Sequence, residues 1–174
     1  MKAMLATEFN CKDMGEVHYI MGLQIRRNLE TRTISIDQST YAQEVLEKFN
    51  LSHVNPVRTP CETNLVLTKE DCPKTEADRA QMQGKDYRGL IGSLMYLMTG
   101  SRPDITFLMM LVSKYLNNPG LSHWNAAKRI LRYVKGTLNY GLVVNGRSSD
   151  ALQLKAYVDS DYAKGTHTRR SVSG

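Results

Sequence analysis

Between Tyr87 and Gly136 apolar residues recur at helical spacing in three consecutive runs, and no other stretch constrains the fold as much. The first run presents Tyr87, Leu90, Ile91, Leu94, Met95 and Met98. The second opens at Pro103, which suits a first helical turn because the N–H it lacks would be unpaired there anyway. It presents Ile105, Leu108, Met109, Val112, Tyr115 and Leu116 before Asn117, Asn118, Pro119 and Gly120 break it. The third presents Trp124, Ala127, Ile130, Leu131 and Val134 and ends at Gly136. Met4, Met95, Met98 and Met109 are expected to serve as core filler, since the unbranched Met side chain packs into irregular gaps.

The flanks read differently. Met1, Met4, Leu5 and Phe9 share a helical spacing, so the chain is expected to open in the last turns of a helix, cut from something longer. Val17, Tyr19, Met21, Leu23 and Ile25 alternate with His18, Gly22 and Gln24, which predicts one strand with Ile20 as the exception. A polar loop over 26–32 and β-type residues over 33–36 complete an antiparallel hairpin. Asp37 or Ser39 is placed to cap a helix with Tyr41, Val45, Leu46 and Phe49 on one face. Residues 51–85, with Pro56, Pro60 and Pro73, read as an irregular connector. Beyond Gly136, residues 140–144 and 152–158 read as strands joined by a polar turn, and nothing after Asp161 has a core pattern of its own. The fold class expected is α+β.

Charge is unevenly placed. From Ile105 to Ser149 there is no Asp or Glu, while Lys114, Lys128, Arg129, Arg132, Lys135 and Arg147 supply six positive charges, matching the formal net charge of +6. Lys128, Arg132 and Lys135 fall at four- and three-residue steps and so form one basic stripe on the third helix. Such a stripe is the footprint of a polyanion binder, and also complements the helix dipole near its C-terminus.

Several chemistries find no support. No apolar run has the length of a membrane span, and the first residues lack the apolar core of a secretory signal, so no membrane partner is expected. Cys11, Cys61 and Cys72 contain no C-x-x-C pair, which argues against a disulfide framework or thiolate zinc site and for a reducing, intracellular setting. No Gly-rich phosphate cradle, H-E-x-x-H or G-x-S-x-G occurs, and His18, His53, His123 and His167 have no ligand spacing. Asp159 and Asp161 form the one carboxylate pair, at the end of an apolar strand pattern where hard oxygens could serve Mg²⁺ or simply shape a turn.

Long runs of residues resemble one family. Phe9-Asn10-Cys11-Lys12-Asp13-Met14-Gly15 and Tyr19-Ile20-Met21-Gly22-Leu23-Gln24-Ile25 resemble the region following the polymerase palm in copia-type retrotransposon reverse transcriptases. Ile91-Gly92-Ser93-Leu94-Met95-Tyr96-Leu97, Arg102-Pro103-Asp104-Ile105, His123-Trp124 and the run from Ala127 to Thr137 continue the resemblance in the same order, and residues 157–174 are similar to the opening of the ribonuclease H domain. The resemblance implies a piece of a Pol polyprotein in three parts. Residues 1–37 would be the end of the palm with a primer-grip-like hairpin, 38–136 a helical thumb and connection with the irregular connector 51–85, and 137–174 the truncated start of a ribonuclease H-like domain.

It further implies contact with a template–primer duplex, RNA–DNA or DNA, through Gly22, Gln24, Lys128, Arg129, Arg132 and Lys135. Asp159 would be the first Mg²⁺-binding carboxylate of a ribonuclease H site whose other acids lie outside this chain; the polymerase carboxylates of the family are absent from it too, so the chain alone is expected to be inactive. Tyr162 and Lys164-Gly165 depart from the family pattern near that site. The partners implied are the duplex and the remainder of the Pol polyprotein, in the cytoplasm or nucleus. Three readings stay open: a piece of an intact RNA-directed DNA polymerase, a non-catalytic nucleic-acid-binding or interaction protein, and a relic without function.

Overall fold

The three apolar runs fold as helices that bury their stripes against one another. Helix α4, Tyr87–Gly100, buries Tyr87, Leu90, Ile91, Leu94 and Leu97. Helix α5, Thr106–Ser113, buries Leu108, Met109 and Val112, and helix α6, Leu121–Gly136, buries Trp124, Ala127, Ile130, Leu131 and Val134. Helix α2, Ser39–Lys48, closes the core with Ala42, Val45 and Leu46. Each fully buried Leu, Ile or Val contributes about 1.5–3 kcal/mol relative to exposure, so this four-helix contact is the main source of stability. The computed structural model describes residues 2–146 together with the short strands at 160–161 and 172–173.

Helix α1, Lys2–Glu8, opens the chain and exposes Met4 and Leu5. A four-stranded antiparallel sheet stands beside the helices in the order β1 (Tyr19–Ile20), β2 (Leu23–Asn28), β3 (Thr33–Asp37), β4 (Gly141–Asn145). Its register aligns Ile25 with Ile36 and Ile34 with Val144, so one face is apolar, yet no strand residue belongs to the buried core cluster. The architecture is α+β.

The structure departs from the sequence reading in several places. Residues 17–25 are not one strand: Met21 and Gly22 have φ of +49° and +74°, and the left-handed pair forms a tight turn between β1 and β2. The pairing therefore resets at Ile20, which explains why that residue broke the alternation. Strand β4 adds to the hairpin through β3. Gln38 occupies the N-cap of α2 without a side-chain capping bond, its amide instead accepting from the Ser101 hydroxyl at 2.8 Å, while Asp37 accepts from the Ser39 N–H at 3.1 Å.

Pro103 starts a short 3₁₀ turn, Pro103–Ile105, and only then does α5 begin. The connector is more ordered than its prolines suggest. Thr68 and Thr75 each cap a short helical turn through reciprocal bonds with Asp71 and Asp78, giving the 3₁₀ turn Lys69–Asp71 and helix α3, Glu76–Met82. Leu51 and Leu67 enter the core. Met109 is core filler and Met98 packs against the core, but Met4 and Met95 are exposed. The strand expected over 152–158 lies outside the described residues; strands β5 (Ser160–Asp161) and β6 (Val172–Ser173) pair antiparallel.

Candidate nucleic-acid interface

Two surfaces could meet a nucleic acid. The first is the polar side of α6, which carries Lys128, Arg129, Arg132 and Lys135, all half-buried. A segment of the connector lies along it. Lys135 Nζ donates to the Ser52 and Val54 carbonyls at 2.6 and 2.7 Å, and Arg132 Nε donates to the Asn55 carbonyl at 2.9 Å. Arg129 reaches Glu62 Oε1 at 3.0 Å and Thr59 Oγ1 at 3.2 Å. Lys128 makes no hydrogen bond or ion pair with the described residues. Arg132 and Lys135, two of the three stripe residues, and the neighbouring Arg129 therefore already hold the connector.

The second surface is where the hairpin meets α4. Tyr96 donates its hydroxyl to the Met21 carbonyl, which seats the β1–β2 turn on the helix. A Cβ at Gly22 would stand 3.3 Å from that hydroxyl, so the turn needs glycine both for its left-handed φ and for this approach. Around it, the outer face of α4 exposes Arg88, Gly92, Met95, Tyr96 and Thr99. Gly92 has nothing within 4 Å of the position its Cβ would take. A mid-helix glycine costs about 1 kcal/mol relative to alanine, and no packing among the described residues requires it. That signal was legible in the sequence, since glycine inside a helical pattern is anomalous and this run holds both Gly89 and Gly92, but the apolar periodicity of the run concealed which side Gly92 faced.

Gln24 lies behind the turn. Its side chain receives Arg26 at 2.8 Å and Ser39 at 3.0 Å, and its amide contacts Thr40. Asp37 completes this junction. Burial raises its carboxyl, but the bonds from Ser39 and the Arg26 guanidinium outweigh burial and hold it below the usual range.

Two further buried groups organise the helices. Arg102 forks onto Asp104 at 2.9 and 2.7 Å and reaches the Thr137 carbonyl and hydroxyl at 3.1 and 2.7 Å. Burial raises the Asp104 carboxyl, and the bonds from Arg102 and Tyr133 more than reverse it. His123, fully buried at the start of α6, accepts from the Gly120 N–H at 2.9 Å through Nδ1 and stacks on Tyr115 at 3.9 Å. Burial lowers its pKa, with Asp71 opposing, so the ring is held neutral and its Nδ1 stays an acceptor. Both lie in runs that carry the family resemblance, but their structural roles were not read from the sequence.

Among the described residues no group of three or more His, Cys, Asp or Glu side chains is placed to hold a metal ion. Asp159 lies outside the described residues. No helix among those described is long and apolar enough to cross a membrane.

Over its whole length the chain is 40% identical to the retrovirus-related Pol polyprotein from transposon TNT 1-94 of Nicotiana tabacum, of which it spans 13%. It is 32% identical over 98% of its length to the Pol polyprotein from transposon RE2 of Arabidopsis thaliana, spanning 11% of that protein. An uncharacterized mitochondrial protein of Arabidopsis thaliana is 34% identical over 98% of the chain, which covers 66% of it. No protein-family model matches, and no solved structure matches significantly.

Proposed function

Since the chain belongs with the retrovirus-related Pol polyproteins of copia-type transposons, we propose that it is the part of such a reverse transcriptase that grips the template–primer duplex. The observation that carries this reading is the turn at Met21 and Gly22 seated by Tyr96 beside the bare helical surface at Gly92. Backbone at the turn and an absent side chain on the helix leave room for a sugar–phosphate backbone to approach closely. Lys128, Arg129, Arg132 and Lys135 supply a positive field on α6, and phosphate contacts of this kind position a duplex without reading its sequence.

Gly22 would touch the backbone directly, whereas Gln24 would act by fixing the strand behind it. The remainder of the Pol polyprotein would supply the polymerase carboxylates. Asp159 would contribute one oxygen ligand to a ribonuclease H site completed by acids from outside this chain, where Mg²⁺ supplies charge neutralisation for phosphodiester cleavage. The working compartment would be the cytoplasm or nucleus.

Duplex binding with and without Gly92→Glu tests the reading. The substitution has open space around it and should fold, but it places a carboxylate where the duplex would lie. Binding to a short RNA–DNA hybrid, followed by fluorescence anisotropy, should weaken at least tenfold. Unchanged affinity would remove the α4 face from the interface.

A further inference from the structure

Residues 52–62 present oxygen atoms to α6 much as a polyanion would. Ser52, Val54 and Asn55 offer carbonyls to Lys135 and Arg132, and Glu62 offers the one carboxylate, to Arg129. A carbonyl satisfies a donor without cancelling its charge. Lys128, Arg132 and Lys135 therefore keep an uncompensated positive field while the donors of the last two are occupied. We propose that this segment is a displaceable strap, a built-in competitor that a nucleic-acid phosphate backbone must lift to reach the α6 cations. The proposal rests on the duplex-contact reading above and adds a regulation of that surface.

The strap has the build such a role needs. Leu51 and Leu67 are anchored in the core, and Val54, Cys61 and Leu65 pack against it. Between those anchors Asn55, Pro56, Arg58 and Thr59 are exposed. The middle is tied to α6 by polar contacts, including a long Val57 N–H bond of 3.4 Å to the Arg132 carbonyl. Ionised phosphate oxygen adds direct Coulomb attraction that a carbonyl lacks, so it has the advantage at Arg132 and Lys135. The bend of the strap over the end of α6 depends on Gly136, where a Cβ would meet Pro56 Cβ at 3.2 Å and the Val57 carbonyl at 3.4 Å.

That contact gives a way to loosen the strap without touching a cation. Binding of a DNA duplex would be titrated across a salt series for the whole chain and for Gly136→Val, Glu62→Gln and Glu47→Gln. The last changes charge equally, at an exposed position on α2 outside residues 52–62. Each phosphate contact steepens the dependence of log affinity on log salt by roughly 0.9 on duplex DNA. The parent complex, with the strap lifted, already makes the contacts to Arg132 and Lys135, so Gly136→Val should tighten binding at every salt concentration and leave the slope near that of the parent. Glu62→Gln should exceed Glu47→Gln in affinity.

Variants that match the parent chain in affinity, or a Glu47→Gln effect equal to that of Glu62→Gln, would overturn the strap and leave duplex contact standing. Failure of every form to bind would overturn both. Tryptic cleavage after Arg58 in the unmodified chain is the second measurement. Saturating duplex should accelerate it, and protection or no change would overturn the proposal.

Discussion

The Tyr96 hydroxyl donates to the Met21 carbonyl, joining a helix to a hairpin turn 75 residues earlier in the chain. The sheet contributes nothing to the buried core, so this bond and the polar junction around Asp37 fix where the turn sits. Tyr96→Phe removes the donor and leaves the ring. It is expected to cost about 0.5–1.5 kcal/mol in urea unfolding. Gly22→Ala should cost about 1–2 kcal/mol from the left-handed backbone alone, plus the crowding against Tyr96. If neither substitution changes duplex affinity, the position of the turn is irrelevant to binding.

The helical core was legible from Tyr87, Leu90, Ile91 and Leu94 and their counterparts, because a 3.6-residue period has one geometric meaning in a run that long. The turn at Met21 was not, since Met is apolar and fits an alternating strand as well as a left-handed corner. The α6 cations were found by charge, but what holds them was invisible. Lys135 and Arg132 bond to main-chain carbonyls of residues 52–55, and no side-chain pattern announces a carbonyl partner. The capped turns at Thr68 and Thr75 were readable in principle from the Asp residues three positions on, and were masked by the surrounding prolines.

His123 makes the fold sensitive to mild acid. Burial depresses its pKa below the ordinary 6.5, so the unfolded chain binds the proton more readily than the folded one. The associated stability is complete above the unfolded value and declines as pH falls below it. Asp71 faces the ring from the 3₁₀ turn; bonds from the Thr68 backbone hold its carboxyl low, so it titrates beneath its ordinary 3.8 and outside this window. His123→Asn retains an acceptor for the Gly120 N–H without a titrating ring. Melting temperature should fall between about pH 7 and pH 5 for the parent chain and stay level for the variant. Parallel profiles would mean that His123 does not set the acid response.

Arg102 ties the α4–α5 corner to the end of α6, with its guanidinium also lying 5.4 and 5.6 Å from the Tyr133 and Tyr140 ring centres. Its side chain is 3% exposed and Asp104 is 35% exposed, so removing the cation strands a carboxylate that water reaches only in part. Arg102→Met is expected to cost about 3 kcal/mol. Arg102→Lys should recover less than half, because an ammonium cannot reproduce the fork onto Asp104 and Thr137 together. Equal stability of the Lys variant and the parent would show that charge alone matters at this corner.

Asp159 is the residue on which the ribonuclease reading can be separated from the duplex-contact reading. One carboxylate offers Mg²⁺ too few ligands to displace its tightly held water, so the chain by itself should bind the ion weakly. Grafting the chain in place of the matching segment of an active transposon Pol polyprotein supplies the other acids. In that graft Asp159→Asn is expected to abolish Mg²⁺-dependent cleavage of an RNA–DNA hybrid. Primer extension should continue at close to its parental rate, since polymerisation draws on carboxylates outside this chain. Asp161→Asn should have the smaller effect on cleavage. Chelating the metal should stop both activities in the parent graft, which distinguishes loss of one ligand from loss of the ion. If hybrid cleavage persists with Asn at position 159, the metal-binding carboxylate lies elsewhere.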